Sequence, residues 1–139
     1  MRVSVGCWLI LVAGCGGGAG PTGSGGNPPP GAQIVNVSMT DNGVSTFVFS
    51  PASPPPIKVG TIVRWTNNGT VTHTTTSDAG VTPAWSSGDL AAPTPGGGYG
   101  GGGTPGGSYS VTFTQPGSYS YHCAYHAAQG MTGTITVTP

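Results

Sequence analysis

From residue 32 to the C terminus the chain never sustains a helical rhythm. Its apolar and β-branched residues fall instead into short runs, at 33–39, 46–49, 57–59, 61–66, 71–76, 108–114, 117–123 and 133–138. Turn formers separate them, among them Ser50-Pro51, Gly60 and Asn67-Asn68-Gly69. Runs of this length and spacing are those of strands in an all-β domain. Seven or eight of them in about 108 residues predict a Greek-key β-sandwich. A domain of that size buries a core without disulfides.

Composition conflicts with that reading only on average. Gly 27 and Pro 14 make up 41 of 139 residues, a share typical of low-complexity chains. They are concentrated, however: 12 lie in residues 16–31 and 12 more in residues 93–107. The first stretch reads as a flexible tether stiffened by Pro28-Pro29-Pro30. The second belongs to a segment, 91–107, that cannot fill a core and reads as a mobile surface loop in which Tyr99 is the one large side chain.

The N terminus has the marks of an export signal. Met1-Arg2 precedes ten mostly apolar residues, too few to span a bilayer and right for a signal h-region. The run ends in Val12-Ala13-Gly14-Cys15, which resembles the lipobox of bacterial lipoproteins. That resemblance implies a signal peptide over 1–14, a diacylglyceryl group on Cys15, and a tether over 15–31 leading to a domain over 32–139. The alternative is an ordinary signal peptide cleaved after Gly14 or Gly18. With Gly16 after the cysteine, the lipoprotein reading places the domain on the periplasmic face of an outer membrane.

Charge narrows the function classes. The chain has 3 Lys and Arg and 3 acids, all Asp. Neither a basic stripe for nucleic acid nor a polybasic patch for anionic lipid can be built from these. The expectation is a monomer with no nucleic-acid partner, touching a membrane through its anchor alone.

Once the signal is removed and Cys15 acylated, Cys123 is the single free thiol of an exported protein, which calls for a chemical reason. Its surroundings supply one. Cys123, His126 and Met131 form the pattern C-x2-H-x4-M, and His73 stands fifty residues upstream in a Thr-rich run. A thiolate, two imidazoles and a thioether are the donors of a blue-copper centre. Strand alternation puts Tyr119, Tyr121 and Cys123 on one face and turns His122 the other way.

The chain resembles the plastocyanin-like cupredoxins over residues 32–139. The resemblance is carried by the Val59-Gly60-Thr61-x-Val63-x-Trp65-x-Asn67 segment, by His73, by Trp85-x-Ser87-Gly88, and by Pro116-Gly117-x-Tyr119-x-Tyr121-x-Cys123 through Met131-x-Gly133. It implies a cupredoxin fold and one copper per chain. It also implies that His73, Cys123 and His126 form a trigonal plane, with Met131 on the axis. The implied activity is single-electron transport by Cu(II)/Cu(I) cycling, without catalysis. Exported redox proteins would be the partners, docking near His126.

Two departures from the family stand out. His122 occupies the position where plastocyanin has a tyrosine used for remote electron entry, and acidic docking patches are missing. A His-Cys pair also occurs in copper nitrite reductases, but a second copper needs several histidines, and with His73 and His126 committed none remains beside His122. Copper storage or delivery on the same fold, and a metal-free structural sandwich, are the competing readings.

Overall fold

The computed structural model describes residues 31–96 and 101–139. The signal segment, Cys15, the tether up to residue 30 and Tyr99 lie outside the described residues. Eight strands are present: β1 (Ile34–Asp41), β2 (Phe47–Ser50), β3 (Ile57–Lys58), β4 (Ile62–Asn67), β5 (Thr76–Ser77), β6 (Ser108–Thr112), β7 (Gly117–His122) and β8 (Thr132–Thr138). They form two four-stranded sheets, ordered β2-β1-β4-β6 and β3-β8-β7-β5. The β1–β4 and β3–β8 pairs are parallel and the others antiparallel. This is the Greek-key sandwich that the pattern of short runs predicts.

Alternation builds the core. Val37 and Met39 of β1, Phe47 and Phe49 of β2, and Val63 and Trp65 of β4 are buried, while the alternate residues Ser38 and Arg64 are half-buried and Val48 is exposed. From the facing sheet come Tyr119, Tyr121, Ile135 and Val137. Trp65 meets Tyr121 edge-on at 5.3 Å and Trp85 meets Phe113 at 5.7 Å, the perpendicular packing that aromatic quadrupoles favour. Tyr119 donates its hydroxyl proton to the Gln115 carbonyl four residues earlier, at 2.8 Å, pinning the entry to β7.

The pairings gather particular strand ends at one pole. Asp41 lies opposite Phe47, Met39 beside Asn67, and His122 opposite Thr132. Lys58, beside Thr138, marks the other pole.

One expected strand takes another form. Residues 71–76 are β-branched enough to read as a strand, yet only Thr76–Ser77 joins a ladder. The backbone N–H groups upstream are spent on particular partners. Those of Thr74 and Thr75 donate to Cys123 Sγ and Ser87 Oγ, and that of His73 to the Leu90 carbonyl in an isolated bridge.

Segment 91–107 is built in at both ends. Thr94 pairs with Thr104, Gly107 N–H donates to the Ala91 carbonyl, and Asn67 N–H donates to the Gly107 carbonyl. A Cβ on Gly106 would stand 1.7 Å from the Asn67 carbonyl oxygen, so glycine is required there for contact rather than for freedom.

Candidate metal centre

The C-x2-H-x4-M stretch closes on itself immediately after β7. Cys123 N–H donates to the Met131 carbonyl at 3.0 Å, and Met131 N–H donates to the His126 carbonyl at 3.1 Å. Between them His126 and Ala127 N–H groups donate back to Cys123, and a single 3₁₀ turn spans Ala127–Gln129. The ring of bonds fixes which way the side chains of Cys123, His126 and Met131 emerge. Met131 is fully buried in the same core cluster as Cys123.

His73 arrives from the other sheet's end. Its N–H and carbonyl pair with Leu90 at 3.2 and 2.9 Å. Asn67, fully buried, holds the approach: its side-chain amide donates to the carbonyls of Val71 and Leu90, both at 2.8 Å, and its oxygen accepts from Gly69 N–H. An asparagine suits this place because one side chain satisfies three backbone groups that no ladder serves.

Cys123, His73 and His126 converge. Sγ of the buried, unpaired Cys123 lies 3.8 Å from His73 Nδ1 and 3.5 Å from His126 Nδ1. All three donor atoms lie within 4.8 Å of one another. An imidazole nitrogen and a thiolate bound at about 2.0 and 2.3 Å to one ion, at trigonal to tetrahedral angles, stand about 3.5–3.7 Å apart. The spacing therefore fits a shared ion. With a buried thioether on the same loop, the donor set suits copper.

Three residues that pattern reading missed complete the surroundings. The first is Asp41 at the end of β1, whose Oδ2 lies 2.9 Å from His73 Nε2, both side chains fully buried. With Nε2–H donated to Asp41, Nδ1 keeps its lone pair for a metal. Burial pushes the Asp41 pKa up. Hydrogen bonds from the Thr70 hydroxyl, His73, and the backbone N–H groups of Thr70 and Gly43 outweigh it and hold the carboxyl well below the usual carboxylate range. A Cβ on Gly69 would stand 1.9 Å from Asp41 Oδ2, so the chain passes directly over this pair.

The second is Phe47, whose ring stacks on that of His126 at 3.9 Å between centroids and 7° between planes, and meets His73 edge-on at 6.3 Å. The third is Thr74. Its N–H donates to Cys123 Sγ at 3.4 Å, and its hydroxyl oxygen accepts from Ala124 N–H at 2.8 Å, joining the His73 segment to the ligand loop. Nothing in the spacing of Cys, His and Met marks these three. The one cue was Thr74's place directly after His73.

Burial, reinforced by the nearby His73, lowers the pKa of His126, with Asp41 opposing. A neutral ring leaves Nδ1 able to bind metal. His122 points away from the site and pairs with Asp78, Nδ1 to Oδ1 at 2.6 Å.

A profile of the copper binding proteins of the plastocyanin/azurin family matches residues 35–138. The chain belongs to this family. No curated protein sequence matches it. Several solved structures share its fold. An amicyanin variant in its Cu(I) form is 23% identical over 76% of this chain and 82% of its own, with a TM-score of 0.54. A purple cupredoxin from Nitrosopumilus maritimus is 24% identical over 74% of this chain and 98% of its own, at 0.56. Oxidised plastocyanin from Dryopteris crassirhizoma is 23% identical over 75% of this chain and 100% of its own, at 0.55. Copper, one ion per chain, is thus the cofactor of this cupredoxin.

Proposed function

We propose that the protein is a mononuclear type 1 copper carrier of single electrons. Its ligands are His73, Cys123, His126 and Met131. The observation that carries this reading is the convergence of one cysteine sulfur and two imidazole nitrogens within 4.8 Å. Bound copper supplies a Cu(II)/Cu(I) couple, and the protein residues set its surroundings. Asp41 fixes the His73 tautomer, Thr74 donates an N–H to the sulfur, and Phe47 covers one face of His126. A site already held by these contacts needs little rearrangement when an electron arrives or leaves.

His126 is the electron port in this reading, because its ring is only partly buried while His73 is wholly so. Redox partner proteins dock there, and the protein transforms no substrate. The lipobox-like Val12-Ala13-Gly14-Cys15 supports export and a lipid anchor at Cys15. None of the helices among the described residues is long and apolar enough to cross a membrane.

Voltammetry of the copper-loaded protein tests the carrier role. A reversible one-electron wave with copper retained through repeated cycles is expected. Loss of copper on reduction, or ready transfer to a weak chelator, would assign it to delivery instead.

A further inference from the structure

Beside the His126 ring lies a shallow cleft of about 370 Å³, lined by Val71, Thr72, Asp89, Tyr125 and His126. Tyr125 is 53% exposed, although it belongs to the ligand loop. Its ring meets that of His126 at 6.2 Å, and its hydroxyl donates to Asp89 Oδ1 at 2.5 Å. Leu90, next to Asp89, makes the backbone bridge to His73. The Tyr125–Asp89 contact therefore clasps the two chain segments that converge on the site, and it sets a carboxylate on the rim of the port.

The placement of charge gives this rim its sign. Among the described residues the charged side chains are Asp41, Asp78, Asp89, Lys58 and Arg64. Asp41 is buried behind His73, and Asp89 is exposed at the same pole. Asp78 lies to the side, its N–H on the Ser120 carbonyl of β7 and its carboxylate on His122. Lys58 stands at the opposite pole with Nζ on the Pro139 carbonyl, a β8 length of about 20 Å away. Arg64 faces outward from β4, with Nε 3.5 Å from Ser110 Oγ. The few charges are thus placed unevenly, with carboxylates at the metal end and lysine at the far end.

We infer that the cleft between Val71 and Tyr125 receives a cationic side chain, a lysine or arginine, of the redox partner, with Asp89 as its counter-charge. The Tyr125 ring and Val71 suit the methylene stem of such a side chain, and an aromatic face beside a carboxylate suits its charged head. A single exposed carboxylate steers weakly, so the salt dependence is shallow but has a definite sign. This inference rests on His126 being the port.

The test is stopped-flow oxidation of the reduced, copper-loaded protein by tris(1,10-phenanthroline)cobalt(III), a trication, and by ferricyanide, a trianion. At about 0.1 M ionic strength Asp89→Asn should slow the cobalt reaction roughly fivefold and speed the ferricyanide reaction by a similar factor. Asp89→Lys should do so roughly twentyfold, and both effects should fade at about 1 M salt. Asp78→Asn makes the same change in net charge on the lateral face, and should move either rate by less than about twofold. Tyr125→Phe breaks the clasp but keeps the carboxylate, so the preference for the cation should survive it. Equal responses to Asp89→Asn and Asp78→Asn, or none to either, would overturn the inference while a reversible copper couple left the carrier reading standing. An irreversible couple would overturn both.

Discussion

Phe47 and His126 lie face to face, 3.9 Å apart and 7° from parallel, although Phe47 opens β2 and His126 sits in the loop that follows β7 of the facing sheet. Phe47 is 8% exposed, so a buried ring braces the histidine of the candidate site that reaches the surface. Aromatic pairs contribute about 0.5–1.5 kcal/mol beyond their burial. Phe47→Leu should therefore speed capture of Cu(I) by a strong chelator by about twofold to tenfold. Unfolding free energy of the copper-free protein should drop by only about 1 kcal/mol. Unchanged release kinetics would mean that the stack does not hold the ligand.

Thr74 links the His73 segment to the Cys123–Met131 loop through its hydroxyl, which accepts the Ala124 N–H. Thr74→Val keeps the shape and strands that N–H, at a cost of about 1–3 kcal/mol in chemical denaturation. Thr74→Ser, with the oxygen restored, should recover most of it. Equal stability in the two variants would contradict the strut.

How much of this was legible beforehand follows from residue chemistry. Cys, His and Met are scarce in the domain and lie at a spacing that a self-closing loop requires, so Cys123, His126 and Met131 stood out. The sandwich was legible because alternation along β1, β4 and β7 is nearly unbroken. Asp41 and Phe47 were hidden, since each reads locally as an ordinary strand-end residue, and only the β1–β2 and β1–β4 registers bring them to the histidines. Residues 71–76 misled because β-branched content reports strand propensity and not where the N–H groups go. Thr74 and Thr75 give theirs to a sulfur and a serine hydroxyl. The built base of segment 91–107 was invisible in its composition, because Gly106 is there to let the Asn67 carbonyl approach.

Asp41 ties acid stability to the site. Its folded-state pKa is depressed below the unfolded carboxylate value, near 3.8. Its contribution is therefore complete above that value and disappears as pH falls through the lower folded one. Asp78, also depressed by its hydrogen bond from His122, acts in the same direction but is partly exposed and contributes less. Denaturation midpoints of the copper-free protein should fall as pH drops below about 4. Asp41→Asn should lower the midpoint at neutral pH and flatten the profile. A wild-type midpoint independent of pH in that window would refute the linkage.

Met131 is fully buried at the close of the ligand loop. In the proposed ligand set it is a weak soft donor, which favours Cu(I) over what a harder donor would allow. Voltammetry should show a lower reduction potential for Met131→Gln and a higher one for Met131→Leu. Potentials unmoved in both variants would remove Met131 from the ligand set.

The proposed copper site depends above all on one sulfur. Cys123 is the single cysteine among the described residues, buried and unpaired, with two imidazole nitrogens 3.5 and 3.8 Å from Sγ. The decisive measurement is the visible absorption spectrum of the oxidised protein loaded with one equivalent of Cu(II), taken beside that of Cys123→Ser. The wild type should show an intense thiolate-to-copper band that vanishes in the variant, while far-ultraviolet circular dichroism shows both sandwiches folded. A wild type without the band, or a Cys123→Ser variant that keeps it, would contradict the assignment of this site to copper.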